Sequence, residues 1–185
     1  DTLLSFPFNF TLLITFTLNK NSLEQKFRVI NNDTKVMPFS FGGHPAFNIH
    51  SIDDYDIQFE CEEDIKANTL EGPYIKETLI DVIQGNKIPL DKNIFNQDAL
   101  IFQDLKSNWV KLAHKSSTHE VKLTVIDFPH LGIWSKPGAP FVCIEPWQGM
   151  ADYVSHNKDI LQKKGILTLE SNDEVTKSFT MEFNS

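Results

Sequence analysis

The stretch Phe8-Asn9-Phe10-Thr11-Leu12-Leu13-Ile14-Thr15-Phe16-Thr17-Leu18 alternates with a period of two. Phe8, Phe10, Leu12, Ile14, Phe16 and Leu18 fall on one face, and Asn9, Thr11, Leu13, Thr15 and Thr17 on the other. Successive side chains of an extended chain point to opposite sides, so the pattern predicts a long half-buried strand. Asn19-Lys20-Asn21-Ser22 supplies turn formers, Leu23 to Ile30 reads as the returning strand, and Asn31-Asn32-Asp33 closes a hairpin. The same period recurs at Tyr55, Ile57 and Phe59, in Trp109 to His114, at Val121, Leu123 and Val125, in Phe141 to Glu145, and at Phe179, Met181 and Phe183. Helical periodicity is confined to one short helix expected within 148–163 and a turn within 91–99. Glu71-Gly72-Pro73, Gln84-Gly85-Asn86 and Lys136-Pro137-Gly138-Ala139-Pro140 punctuate turns without marking a linker. The expectation is an all-β antiparallel sandwich forming a single domain over residues 1–185.

Composition narrows the function. Hydrophobic residues make up 41% of the 185 and charged residues 23%, a globular balance, and fifteen Phe imply an aromatic-rich interior. Net charge is −8 and the sole arginine is Arg28, so the basic footprint of a nucleic-acid binder is missing. The apolar run Phe10 to Leu18 is too short and too rich in threonine to span a bilayer, and it has no charged leader. A soluble, cytoplasmic protein with neither nucleic-acid nor membrane partners is expected. Cys61 and Cys143 have no metal-like spacing, so two reduced interior thiols are expected. The chain begins at Asp1 and leads at once into a strand pattern, and an N-terminal part is expected to be lacking.

Two titratable residues stand in otherwise apolar stretches. His44 follows Gly42-Gly43, which permit a tight turn, and precedes Pro45, which biases the histidine toward an extended conformation. Glu145 ends the run Phe141-Val142-Cys143-Ile144, on the same face as Phe141 and Cys143. Imidazole titrates near ~6.5 and a glutamate near ~4.3, so the two suit proton transfer near neutrality. Each alone also reads as structure, His44 as a core histidine bonded to backbone and Glu145 as a strand end exiting to solvent. Phe47 and Trp147 flank the pair and fit either a core or the C–H face of a sugar. Asn48 and Asp98 bond hydroxyls but also form turns. His114 and His119 read as a hairpin tip, Glu60 to Asp64 as a solvated edge, and Cys143 as a packed thiol. No residue set completes a metal site.

Taken together, Pro38-Phe39-Ser40-Phe41-Gly42-Gly43-His44-Pro45-Ala46-Phe47-Asn48, Leu131-Gly132-Ile133-Trp134-Ser135 and Cys143-Ile144-Glu145-Pro146-Trp147 resemble the aldose 1-epimerase (galactose mutarotase-like) superfamily, in particular its LacX-like branch. The resemblance implies a β-supersandwich with an open cleft for a hexose, present here in part because the N-terminal third of the fold is lacking. It implies that His44 is the general acid toward the ring oxygen, that Glu145 is the general base at the anomeric hydroxyl, and that Asp98 binds sugar hydroxyls. Phe47, Asn48 and Trp147 complete the expected sugar contacts, with the ring bracketed between acid and base. The reaction moves only protons, so no cofactor and no metal are expected. In the family the lacking region holds a second histidine and a substrate-binding arginine, and its loss would leave strand edges that favour a homodimer. The rival expectations are a non-catalytic sugar-binding or regulatory sandwich and a structural β-domain that pairs with another chain.

Overall fold

The computed structural model describes residues 2–184, and its fifteen strands are numbered in chain order. One sheet has seven strands in the order β1 (Phe10–Asn19), β2 (Ser22–Asn31), β15 (Glu174–Asn184), β11 (Glu120–Thr124), β10 (Trp109–His114), β5 (Tyr55–Phe59) and β8 (Lys87–Pro89). The second has six, in the order β4 (Ala46–Asn48), β13 (Phe141–Trp147), β12 (His130–Trp134), β9 (Leu100–Gln103), β6 (Ala67–Glu71) and β7 (Tyr74–Ile80). Strands β3 (Met37–Phe39) and β14 (Leu167–Leu169) form a small third sheet. All of the strand pairings are antiparallel. The sandwich expected from the alternation is therefore the observed architecture.

The two large sheets meet across one core. Phe27, Ile57, Phe59, Val110, Leu112 and Phe179 come from the seven-stranded sheet, and Phe102, Leu131, Ile133, Val142 and Ile144 from the six-stranded one. Aromatic rings dominate the contact, with Phe27, Phe128 and Phe179 lying 6.0–6.3 Å apart between centroids. Such offset and edge contacts add to the free energy of burying the rings.

The hairpin β1–β2 forms in the register the pattern demands, Leu12 opposite Val29, Ile14 opposite Phe27 and Leu18 opposite Leu23. Its burial differs from the expectation. Leu12, Ile14, Phe16 and Leu18 share a face with the core residue Phe27, yet they are 43–77% exposed, because β1 is the edge strand and its face overhangs the second sheet. Among the described residues β1 pairs only with β2. The helix expected within 148–163 reduces to one 3-10 turn, Ile160–Gln162, and residues 91–99 form turns. His114 and His119 flank the β10–β11 hairpin loop, as expected. Cys143 is buried but Cys61 is exposed, so only one of the two thiols is interior, and both are free.

One buried polar side chain ties the small sheet to the large one. Asn31 is fully buried at the end of β2, and its Nδ2 donates to the carbonyls of Lys35, Leu169 and Glu170 at 2.8–3.0 Å, while its Oδ1 accepts from the Asp33 N–H. This fixes where the chain enters β3, and hence the Phe41–His44 loop that follows. Replacing Asn31 with Ala leaves these buried groups without partners and should cost about 2 to 4 kcal/mol. Urea unfolding of Asn31→Ala checks this, and an unchanged midpoint would refute the anchoring role.

Candidate active site

Backbone hydrogen bonds from the loop after β3 lie along β13. The Gly43 N–H donates to the Pro146 carbonyl (2.8 Å), the Gln148 N–H to the Phe41 carbonyl (2.9 Å), and the Ile144 N–H to the Pro45 carbonyl (3.2 Å). Glycine is required here by space. A Cβ at Gly42 would sit 2.5 Å from the Trp147 ring and 2.8 Å from the Pro146 carbonyl oxygen, and one at Gly43 would strike the Phe179 ring at 2.5 Å. Close approach of two backbones is what the Gly-Gly pair provides. The consequence is that His44 is set beside the face of β13 that carries Glu145.

The His44 Nδ1 lies 3.5 Å from the Glu145 Oε1. Their surroundings are opposite in character, since the His44 side chain is 64% exposed and that of Glu145 is 6% exposed. Glu145 faces Gly132 of β12, the residue that leaves room for Trp147, as a Cβ there would come within 2.7 Å of the indole. Burial pushes the Glu145 pKa up, while the facing His44 and the Trp147 side chain draw it back in part. Desolvation disfavours the carboxylate and makes it a stronger base. Cys143, two residues earlier on the same face, is also buried, and burial with the nearby Glu145 pushes its thiol up to about 11. The ligand atoms of His44, Cys143 and Glu145 all lie within 4.8 Å of one another.

His44 and Glu145 stand side by side rather than on either side of a gap the width of a sugar ring, the spacing expected from the sequence. Trp134, opposite Cys143 on β12, extends the site, with its ring 6.5 Å from that of His44 in an edge-on arrangement. It also lines an open cavity of about 520 Å³ together with Leu70, Lys76, Asn96, Asp98 and Pro137. Asp98 is exposed there in the left-handed region (φ 71°), and its Oδ1 accepts from the Ala99 N–H (2.8 Å). Asp adopts this region readily because its short side chain bonds the neighbouring backbone, as it does here.

The remaining expected residues divide. Trp147 lies against the site, wedged between Gly42 and Gly132. Asn48 is exposed opposite Phe141, at the far end of the pairing with β13. Phe47 is moved from the cleft wall to the core, because its register with Val142 turns it to the inner face, where it meets Phe183. Trp134 and Cys143 were absent from the expected set. Alternation placed Cys143 on the Glu145 face, but a strand-to-strand neighbour such as Trp134 becomes visible only once the register is known.

Comparison with known proteins fits this geometry. The family model for aldose 1-epimerase matches residues 1–168. Protein LacX from Lactococcus lactis subsp. lactis is 28% identical over 95% of this chain. A galactose mutarotase-like protein from Lactobacillus casei superposes with a TM-score of 0.90 at 32% identity over 98% of the chain, and a galactose mutarotase related enzyme from Lactobacillus acidophilus with 0.89 at 29% over all of it. The chain spans 62% of the length of LacX and 66% and 64% of these two structures. No helix among the described residues is long and apolar enough to cross a membrane. With its antiparallel sandwich and these matches, the chain belongs to the aldose 1-epimerase family, in the LacX-like branch.

Proposed function

We propose that the chain carries the acid–base centre of an aldose 1-epimerase, interconverting the α and β anomers of a hexose. The observation that supports this best is the pairing of an exposed imidazole with a buried carboxylate 3.5 Å away. Glu145 takes the proton of the anomeric hydroxyl, whose oxygen forms a double bond to the anomeric carbon. The bond from that carbon to the ring oxygen breaks, and the ring oxygen receives a proton from His44. Rotation about the C1–C2 bond exposes the other face of the aldehyde, and the reverse proton transfers close the ring. Trp134 offers an apolar surface to the sugar, and Asp98 and Asn96 across the cavity offer hydroxyl partners.

The test is anomer exchange followed by polarimetry or NMR on glucose and galactose. His44→Ala and Glu145→Gln should each lower the rate by about 10²-fold or more. Rates equal to wild type in both variants would overturn the assignment. Calorimetric binding of a sugar without exchange above background would identify a non-catalytic sugar-binding sandwich instead.

The buried base also leaves a signature in stability. A carboxyl whose folded pKa is raised above its ordinary 4.5 holds its proton more tightly in the folded state. Its contribution is therefore present below the ordinary value, falls as pH rises toward the folded value, and stays lost above it. The unfolding free energy of wild type minus that of Glu145→Gln should accordingly fall as the pH is raised from below 4.5 into the neutral range. Chemical denaturation across that range measures it, and a difference that rises with pH would contradict the desolvated-base reading.

A further inference from the structure

Cys143 has no part in the proton transfers, yet its thiol shares one small space with the imidazole and the carboxylate. We infer that His44, Cys143 and Glu145 form a binding site for a thiophilic divalent cation of the Zn²⁺ type, whose occupation ties up the acid and the base together. Three features carry this. Imidazole, thiolate and carboxylate are the donor types that Zn²⁺ selects. Tetrahedral coordination at ordinary Zn–N, Zn–O and Zn–S lengths puts ligand atoms about 3.3 to 3.6 Å apart. The His44–Glu145 separation is already 3.5 Å, and the whole set lies within 4.8 Å.

The strand supplies the rigidity and the loop the adjustment. Cys143 and Glu145 are two apart on β13, which is hydrogen-bonded to β4 on one side and β12 on the other, so their spacing is fixed. His44 is exposed, and rotation of its ring lets the imidazole adjust its approach to a metal held by the other two. A fourth position stays open toward the cleft, the arrangement of zinc sites that retain a water. On binding, the Cys143 sulfur–hydrogen bond gives way to a sulfur–metal bond, the proton passes to buffer, and no redox change is involved. A metal held there occupies the lone pair of the imidazole and that of the carboxylate, so the site cannot pass protons while it is filled. This inhibitory consequence rests on the proposed acid–base function, whereas the metal site itself does not.

Co²⁺ is the probe, because a cobalt–thiolate bond gives a charge-transfer absorption that a cobalt carboxylate does not. The metal-free, reduced chain titrated with Co²⁺ should develop this band at one equivalent and lose it on addition of Zn²⁺. Cys61→Ser should retain the band and Cys143→Ser should abolish it. His44→Ala and Glu145→Gln should weaken Co²⁺ affinity at least ~10-fold, the lower end of what loss of even an outer-shell partner costs. Absence of the band in wild type, its survival in Cys143→Ser, or its loss in Cys61→Ser would overturn the site. Should Cys143→Ser not fold, an unchanged Co²⁺ affinity in His44→Ala, whose side chain is exposed, would overturn it equally. Where wild type shows anomer exchange, Zn²⁺ should suppress it in parallel with displacement of the Co²⁺ band. A band without any exchange upholds the site and counts only against the catalytic reading.

Discussion

The close run of the Phe41–Pro45 backbone along β13 is the constraint on which the site depends. Hydrogen bonds join the loop to the strand, and glycines at 42 and 43 remove the Cβ atoms that would otherwise meet Trp147, Pro146 and Phe179. Without that approach His44 would have no reason to stand beside Glu145. The loop brings the imidazole, the strand brings the carboxylate, and Gly132 on β12 makes room for the indole that closes over them. Three segments distant in sequence are thereby fixed by backbone geometry, which is less tolerant of drift than contacts between long side chains.

Alternation of apolar residues was enough to assign the sandwich, because in a strand the side-chain period is a property of the backbone itself. It also set Cys143 and Glu145 on one face and predicted the β1–β2 hairpin. What it left out were facts about neighbours. Phe47 reads equally as a core or a cleft aromatic until its pairing with Val142 is known, and that pairing turns it inward. Trp134 reads as one more strand residue until β12 is seen to lie against β13. Leu12 to Leu18 carry the pattern of a half-buried strand and remain exposed, since alternation reports which face points inward and not whether a second sheet reaches that far.

The distance between acid and base is instructive for a similar reason. Chemistry acting on two atoms at opposite ends of a ring would call for groups on either side of it. Anomer interconversion moves protons on and off two oxygens of a single carbon, so neighbouring groups on one wall of the cleft are sufficient. Under the proposed function the sugar would lie over the pair, against Trp134 and toward the cavity that Asp98 lines.

The unequal exposure of the two groups follows from the same division of labour. A carboxylate in water is a weak base, and drying it strengthens the base at a cost to folding. In the proposed role of acid toward the ring oxygen His44 would gain nothing from burial, and it is open to solvent. The loop is free to hold the imidazole outward because backbone bonds, not side-chain packing, position it. That economy has a chemical side effect. In the site inferred above, a dry carboxylate beside an exposed imidazole is also a metal-binding pair, and the thiol of Cys143 two residues before Glu145 supplies a third donor on the same wall. Proton transfer and metal capture then compete for the same lone pairs, so the arrangement that makes the base strong is the one that exposes it to thiophilic cations.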